Sequence, residues 1–509
     1  MMPRNICILL DGTGNEFGQK NTNVIKLKQI LKEDADEQLV YYSSGLGTIL
    51  PVGTSTWSNF KVKLARGVDM ALARNFADFV CEAYRYLMDC YRPGDKIFLF
   101  GFSRGAYVAR ALAGMIQQVG LLSPGNHSQI RPAYEIYRAQ DDALGRWGYD
   151  AVLHYRTIFG LSRKVSIEFV GVWDTVSSLG LFTLPRLPFA AGPKFVRYFR
   201  QALALDERRV RFTPEYFRTD EEHRRLLREL RLFFGREQTA TQSLVVRGVF
   251  EENVRTLERD YPRKDAETGN DTAVEVWFMG CHSDVGGGND VNGARSLSNI
   301  PFRWMLREAL SCGILLDPLG FALLRAVRLP GRAGDPTDEK FTALLKYVTS
   351  REFRASQTAR DRLEKHNKAR ELSEGIASEV LSQIVSRLAE YDAGKLGYTS
   401  PDAGSRVHPS LSAGWWPLEM LPLQTRTYAA HGTQIYDTYR QNLGGGRQII
   451  PGQKIHRSVL NRLVFDHSYS ARLAKKDRYF RPAAQVAEGM PSWDSIRLGK
   501  ASTSDIWAE

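Results

Sequence analysis

The chain opens with Asn5–Leu10 (NICILL), a short apolar run that stops at the turn Asp11-Gly12-Thr13-Gly14-Asn15. A run of this length closed by a turn is the pattern of a strand buried on both faces. The pattern recurs at Lys96–Gly101 (KIFLFG), Val165–Trp173 (VSIEFVGVW) and Val274–Gly280 (VEVWFMG), and more weakly at Leu39–Tyr42. Between these runs the apolar positions change period. Leu72, Phe76, Phe79, Val80, Ala83, Leu87 and Cys90 fall on one helical face, in a segment closed by Pro93-Gly94. A small-residue helix, Ala106–Val119, follows the Lys96–Gly101 strand directly. Strands alternating with helices predict an α/β fold: a mostly parallel sheet with helices on both faces.

Further along, the pattern changes twice. Gly180 to Val246 is basic and reads as a helical insertion within a first domain of residues 1–325. Lys340–Glu390 reads as long charged helices with a thin apolar stripe at Ile376, Val380, Ile384 and Leu388, and Gly394–Pro451 is rich in Gly, Ser and Pro. Residues 326–450 are therefore expected to form an appended helical and irregular region, a lid or a surface for a partner or membrane. Residues 451–509 are expected to pack back on the first domain.

Composition narrows the class. The 509 residues carry 69 Lys plus Arg against 57 Asp plus Glu, a net charge of +12, with 43% apolar and 25% charged positions. This excludes a disordered chain, a collagen and a small disulfide scaffold. The five cysteines (Cys7, Cys81, Cys90, Cys281, Cys312) include no Cys-x-x-Cys pair, so a zinc site or disulfide framework is not expected and a reducing compartment fits. No zinc finger, aromatic ribonucleoprotein motif or long basic run points to nucleic acid. Met1–Leu10 is too short and too soon polar for a secretory signal, and no apolar run approaches the roughly 20 residues that span a bilayer. The expected setting is cytoplasmic on synthesis, with peripheral membrane contact or export without a cleaved signal as the further routes.

The chemistry centres on Gly101-Phe102-Ser103-Arg104-Gly105, between a buried strand and a small-residue helix. Gly-x-Ser-x-Gly is a weak signal by itself, but in this setting it reads as a nucleophile elbow. The strand-to-helix turn must be tight to present the hydroxyl, and glycine on both sides removes the Cβ atoms that would clash. A serine hydroxyl needs a base, and the base needs an orienting carboxylate. Asp174 ends the Val165–Trp173 strand and is the candidate acid; a helix N-cap is its plainer role. His282 follows the Val274–Gly280 strand in Cys281-His282-Ser283-Asp284, ahead of three glycines, and is the candidate base. His456 is the rival base, and Asp284 the rival acid or a supporting partner. The backbone N–H groups of Arg104 and of Gly12 or Thr13 are the candidate oxyanion donors, although the Gly12 turn could instead bind phosphate. Asp11, Asp174, His282 and Asp284 all stand at strand ends and could together hold a divalent metal, but that would leave the serine elbow unexplained. No metal is assigned.

These stretches carry a family resemblance. ICILLDGTGN, GDKIFLFGFSRGAYVARALAGMI, FVGVWDTVSSLG, ALALDERRVRFTP, VWFMGCHSDVGGG and IHRSVLNRL resemble the α/β-hydrolase family catalogued as domain of unknown function 2235, which includes the phospholipase effectors of type VI secretion systems. The resemblance covers roughly residues 1–320 and a short piece near 455–465. It implies a Ser-Asp-His esterase acting on lipid esters through an acyl-enzyme, with Ser103 as nucleophile, Asp174 as acid and His282 as base, and no cofactor. Relatives often have His before the ALALDERR-like segment, where this chain has Gln201. The implied partners are membrane phospholipid, as substrate, and a secretion-machinery or immunity protein. Gly180–Phe189 and Gly414–Leu423, apolar and aromatic beside basic residues, suit an anionic bilayer interface. The alternatives are a hydrolase of soluble esters or amides, and a non-catalytic interaction or sensor protein that keeps the fold.

Overall fold

The computed structural model describes residues 3–12, 18–45, 67–138, 165–176, 196–217, 271–324, 339–355, 358–392, 402–428 and 435–465, with short pieces at 155, 158–159, 178–179, 182–183, 187, 265, 267–269, 485–486 and 507–508. The apolar runs become strands of one main sheet: β1 (Asn5–Leu10), β2 (Gln38–Ser43), β3 (Lys96–Phe102), β4 (Ile167–Trp173), β5 (Val196–Ala204), β6 (Ala273–Phe278), β7 (Lys454–His456) and β8 (Trp507–Ala508). Their order is β2-β1-β3-β4-β5-β6-β7-β8, and every neighbouring pair is parallel. Among the described residues, the helices of five residues or more are α1 (Asn23–Ile30), α2 (Gly67–Cys90), α3 (Arg104–Val119), α4 (Ile130–Arg138), α5 (His282–Gly286), α6 (Asn299–Ser311), α7 (Pro318–Leu323), α8 (Glu339–Thr349), α9 (Ala359–Ser373), α10 (Ser378–Asp392) and α11 (Arg457–Phe465).

Strand β1 shows why its sequence is apolar throughout. Ile6, Ile8 and Leu10 point into a core shared with α2, α3 and α4. Cys7 and Leu9 point into the opposite core, shared with α1, α6, α7, α8 and α10. With helices on both faces, neither side of the strand meets water. The fold is thus α/β, as the alternation predicts. Chain order reverses between β1 and β3. In open parallel sheets, sites form at such a switch point, outside the carboxyl ends of the strands.

The charged helices after residue 339 join the second core. Leu344, Ile376, Ile384 and Leu388 are buried in it, and Val380 packs against it. The junction is tied by a buried ion network. Arg303 of α6 donates Nε and Nη2 to Asp392 at 2.6 Å each, and Nη2 also reaches Asp402 at 2.8 Å.

One expectation is overturned. Residues 180–246 do not read as a helical insertion throughout, because Val196–Ala204 is an interior strand between β4 and β6. Its polar residues suggest an amphipathic helix, but each has a partner. Arg197 meets Glu168, Asp265 and Glu267, Arg200 meets Glu308 at 2.5 Å, and Gln201 bonds Thr175 and Glu275. Pairing offsets much of the desolvation penalty that would otherwise keep such a sequence out of a sheet centre. Glu221–Arg231 lies outside the described residues.

Removing Arg303 leaves two buried carboxylates without their shared cation. Arg303→Met should cost about 3–5 kcal/mol, read as a lowered urea midpoint with unchanged far-ultraviolet dichroism before the transition.

Candidate active site

The turn after β3 is as tight as its glycines require. A Cβ on Gly101 would lie 2.6 Å from Ala106 Cα, and one on Gly105 would lie 2.3 Å from the carbonyl oxygens of Leu10 and Asp11. The start of α3 therefore sits hard against the end of β1. Ser103, between the two, has φ 59° and ψ −122°, a conformation that costs a non-glycine residue about 1–3 kcal/mol. Its backbone is pinned by Ser103 N–H donating to Trp173 O at 3.0 Å.

Asp174 continues the ladder past β4, its N–H donating to Ala202 O at 2.8 Å. It too has positive φ, 45°. Its carboxylate is fully buried and four-fold satisfied. Oδ1 accepts from Ala204 N–H at 2.9 Å and Arg447 Nη1 at 2.5 Å; Oδ2 accepts from Arg447 Nη2 at 2.9 Å and His282 Nδ1 at 2.6 Å. Burial alone would raise its proton affinity. Arg447 and the bond with His282 overcome this and hold the carboxyl well below the usual range.

His282 is the first residue of α5. Cys281 caps the helix, and Asp284 returns its carboxylate to Cys281 N–H at 3.0 Å. The imidazole lies between Phe102, 4.7 Å away by ring centroids, and the edge-on ring of Phe212 at 4.9 Å. Nε2 is 2.7 Å from Ser103 Oγ. Burial lowers the imidazole's proton affinity against the pull of Asp174. A carboxylate can only accept, so Nδ1 carries the ring proton and Nε2 accepts from the Ser103 hydroxyl. The arrangement can move a proton from Ser103 to His282 while Asp174 faces the charge that forms.

The other residues singled out by sequence do different things. Asp284 also accepts from His408 Nδ1 at 2.7 Å and Asn289 Nδ2 at 2.8 Å, so it braces α5. His456 stacks on Phe278 at 4.8 Å and bonds Ser458 Oγ through Nδ1 at 2.9 Å, while burial and the nearby Arg307 and Arg303 lower its pKa to about 3. The imidazole beside Ser103 is thus His282. Asp11 accepts from Thr22 Oγ1 at 2.7 Å and Tyr42 hydroxyl at 3.2 Å. Gly12 N–H is spent on Asp11 Oδ1 at 2.6 Å, which takes it away from an oxyanion; Thr13 lies outside the described residues. Arg104 N–H opens α3, where an amide has no intrahelical acceptor. Among the described residues no group of three or more His, Cys, Asp or Glu could hold a metal ion.

Two contributors escape a sequence reading. Glu207, buried after β5, accepts from Arg209 Nε at 2.9 Å, Ser410 Oγ at 2.8 Å and His282 N–H at 3.3 Å. Burial works against its charge, yet Arg209 and its neighbours bring the pKa down to about 2. Arg447 comes from far along the chain. The glycines at 444–446 before it are the one local signal, mirroring those that follow the His282 turn.

The catalytic-domain family of T6SS Tle1-like phospholipase effectors matches residues 4–308. The uncharacterized protein YEL023C of Saccharomyces cerevisiae is 27% identical over 578 residues, covering 96% of this chain and 82% of the yeast protein. Among solved structures, an uncharacterized protein from Pseudomonas aeruginosa is similar at 16% identity and a TM-score of 0.30; the match covers 81% of this chain and 64% of that one. The Tle1 effector bound to the VgrG spike of the type 6 secretion system is similar at 14% identity and a TM-score of 0.32, over 75% of this chain and 83% of that one.

The strain at Ser103 has a measurable consequence. Ser103→Gly and Ser103→Ala both remove the hydroxyl, but only glycine relaxes at this φ. The glycine variant should be the more stable of the two by about 1 kcal/mol, read from paired urea midpoints.

Proposed function

The chain belongs to the T6SS Tle1-like phospholipase effector catalytic-domain family, and from that premise we propose that it is a serine esterase hydrolysing acyl esters of membrane phospholipids. The observation that carries this reading is the unbroken line from Ser103 Oγ through His282 to Asp174, with links of 2.7 and 2.6 Å. His282 takes the Ser103 proton as the oxygen attacks the ester carbonyl. Asp174 stabilises the imidazolium. Arg104 N–H donates to the developing oxyanion. The leaving alcohol takes the proton back from His282, and a water activated by the same imidazole then cleaves the acyl-enzyme. No metal or cofactor takes part.

A lipid substrate also needs a way to meet the protein. The second apolar loop read from sequence supports one; the first, Gly180–Phe189, lies almost entirely outside the described residues. Trp416, Met420, Leu421 and Leu443 expose their side chains together, close to one another along two segments joined by Leu443 N–H donating to Glu419 O at 3.2 Å. Trp415 beside them touches Phe212 edge-on at 5.7 Å, and Phe212 touches His282. Arg208 donates to Gly444 O at 2.6 Å on the same rim. Apolar and aromatic groups with adjacent cations suit the interface of an anionic bilayer, and this rim adjoins the reacting groups. No described helix is long and apolar enough to cross a membrane; the contact proposed is peripheral, through this exposed apolar rim. Family membership extends the proposal to a secretion-machinery or immunity protein as partner. A soluble ester remains the second substrate class. A purely non-catalytic role is disfavoured by the strained serine, since binding alone does not require that turn.

Mass spectrometry of phospholipid vesicles incubated with wild type and Ser103→Ala tests the reaction. Fatty acid and lysophospholipid should appear only with wild type, and their absence from both would refute it. Flotation with vesicles containing anionic lipid should carry wild type upward. The triple variant Trp416→Ser, Met420→Ser, Leu421→Ser should float at least tenfold less, the scale of about 1.4 kcal/mol of lost apolar burial.

A further inference from the structure

Arg447 stands well beyond the family-matched residues 4–308, yet its guanidinium is buried against the acid of the reactive line. All three nitrogens are spent. Nη1 donates to Asp174 Oδ1 at 2.5 Å and Ala204 O at 3.1 Å; Nη2 donates to Asp174 Oδ2 at 2.9 Å and Phe212 O at 2.6 Å; Nε donates to Phe212 O at 3.1 Å. One side chain thus fixes both the carboxylate and the backbone of the residue whose ring forms a wall of the imidazole site. The approach is held by Gly444, at φ 69°, and by Glu419, which accepts from Gly444 N–H at 3.1 Å.

We propose that Arg447 is a positioning residue for the base: a second cation on Asp174 that fixes the carboxylate plane and tempers its hold on the imidazolium, so that His282 can both take and return the Ser103 proton. This rests on the esterase reading. A fully buried carboxylate facing only an imidazole has two poor outcomes. It either picks up a proton, or it binds the imidazolium so tightly that the base stays charged. A bidentate guanidinium removes both, because the carboxylate already has a permanent counter-charge in a fixed plane.

The other described charged groups near His282 make no hydrogen bond to Asp174. Glu207 is paired with Arg209 at 2.9 Å, and Asp284, on the same helix as His282, faces Asn289 and His408. Arg447 is therefore the cation whose removal changes what Asp174 offers to the imidazole.

Two readouts on the full chain test this: a histidine-selective NMR titration of His282, and kcat and KM on an acyl ester across pH. In Arg447→Met the His282 pKa should rise by about one unit. The kcat should fall by about 100-fold, with KM within about twofold. Arg447→Lys should return the pKa toward wild type but recover only part of kcat, because an ammonium lacks the fork. An Arg447→Met protein whose His282 titrates as in wild type overturns the proposal, whatever its turnover. If Arg447→Met does not fold, Arg447→Lys decides: reduced kcat at an unchanged melting temperature supports the clamp, and wild-type kcat overturns it. A wild-type protein that cleaves no ester refutes the esterase reading, while the His282 titration still decides the clamp.

Discussion

A negative charge shut off from solvent sits where the ends of β4, β5 and β6 meet, and contacts from several parts of the chain hold it there. Asp174 is fully buried, and an isolated carboxylate in that position would take up a proton. It stays ionised because four donors converge on it: a backbone amide after β5, the imidazole after β6 and two nitrogens of Arg447. Those donors come from three separate stretches of chain. The sheet order brings the first two to one rim, and the loop near 447 completes the set. Removing any one donor would leave the others facing an under-compensated charge.

The same device recurs on the α6 side of the sheet with opposite sign. There a buried guanidinium, Arg303, is held by two carboxylates, Asp392 and Asp402. Lys26 lies nearby, bonded to Asn23, Ser298 and Asn299, its pKa lowered to about 8 chiefly by burial. Buried ions contribute little net stability, but they penalise every arrangement that separates them. Asp402 of this network precedes the segment that carries His408 and Ser410 to the bases of the His282 and Glu207 turns. The two ionic clusters thus fix the C-terminal course of the chain at successive points, as apolar packing alone would not.

What the sequence reveals follows from how local each signal is. The β3–α3 turn is legible because its glycines and serine are adjacent, and their steric requirement is met within five residues. Asp174 and His282 can be picked out because each directly follows an apolar strand, and a parallel sheet puts such positions on one rim. Strand Val196–Ala204 is not legible, since Arg197, Arg200 and Gln201 look solvent-facing until Glu168, Glu308 and Glu275 are brought up against them. Gly12 is misleading for a related reason. A glycine turn after a strand looks like a free amide, yet its N–H is already taken by the preceding carboxylate.

Arg447 is the least legible of all, and its position bears on how the site is assembled. The catalytic-domain family match runs over residues 4–308, and taken alone it would leave the segment that carries Arg447 as an addition. The geometry argues otherwise. Ser103 and His282 stand on the sheet rim itself, whereas the permanent cation on Asp174 comes from the late described segment 435–465. The Ser103–His282–Asp174 line thus has its full set of partners only with the contact between residues 174 and 447 in place. The late segment therefore completes the hydrogen-bond shell of Asp174, whatever its distance in sequence.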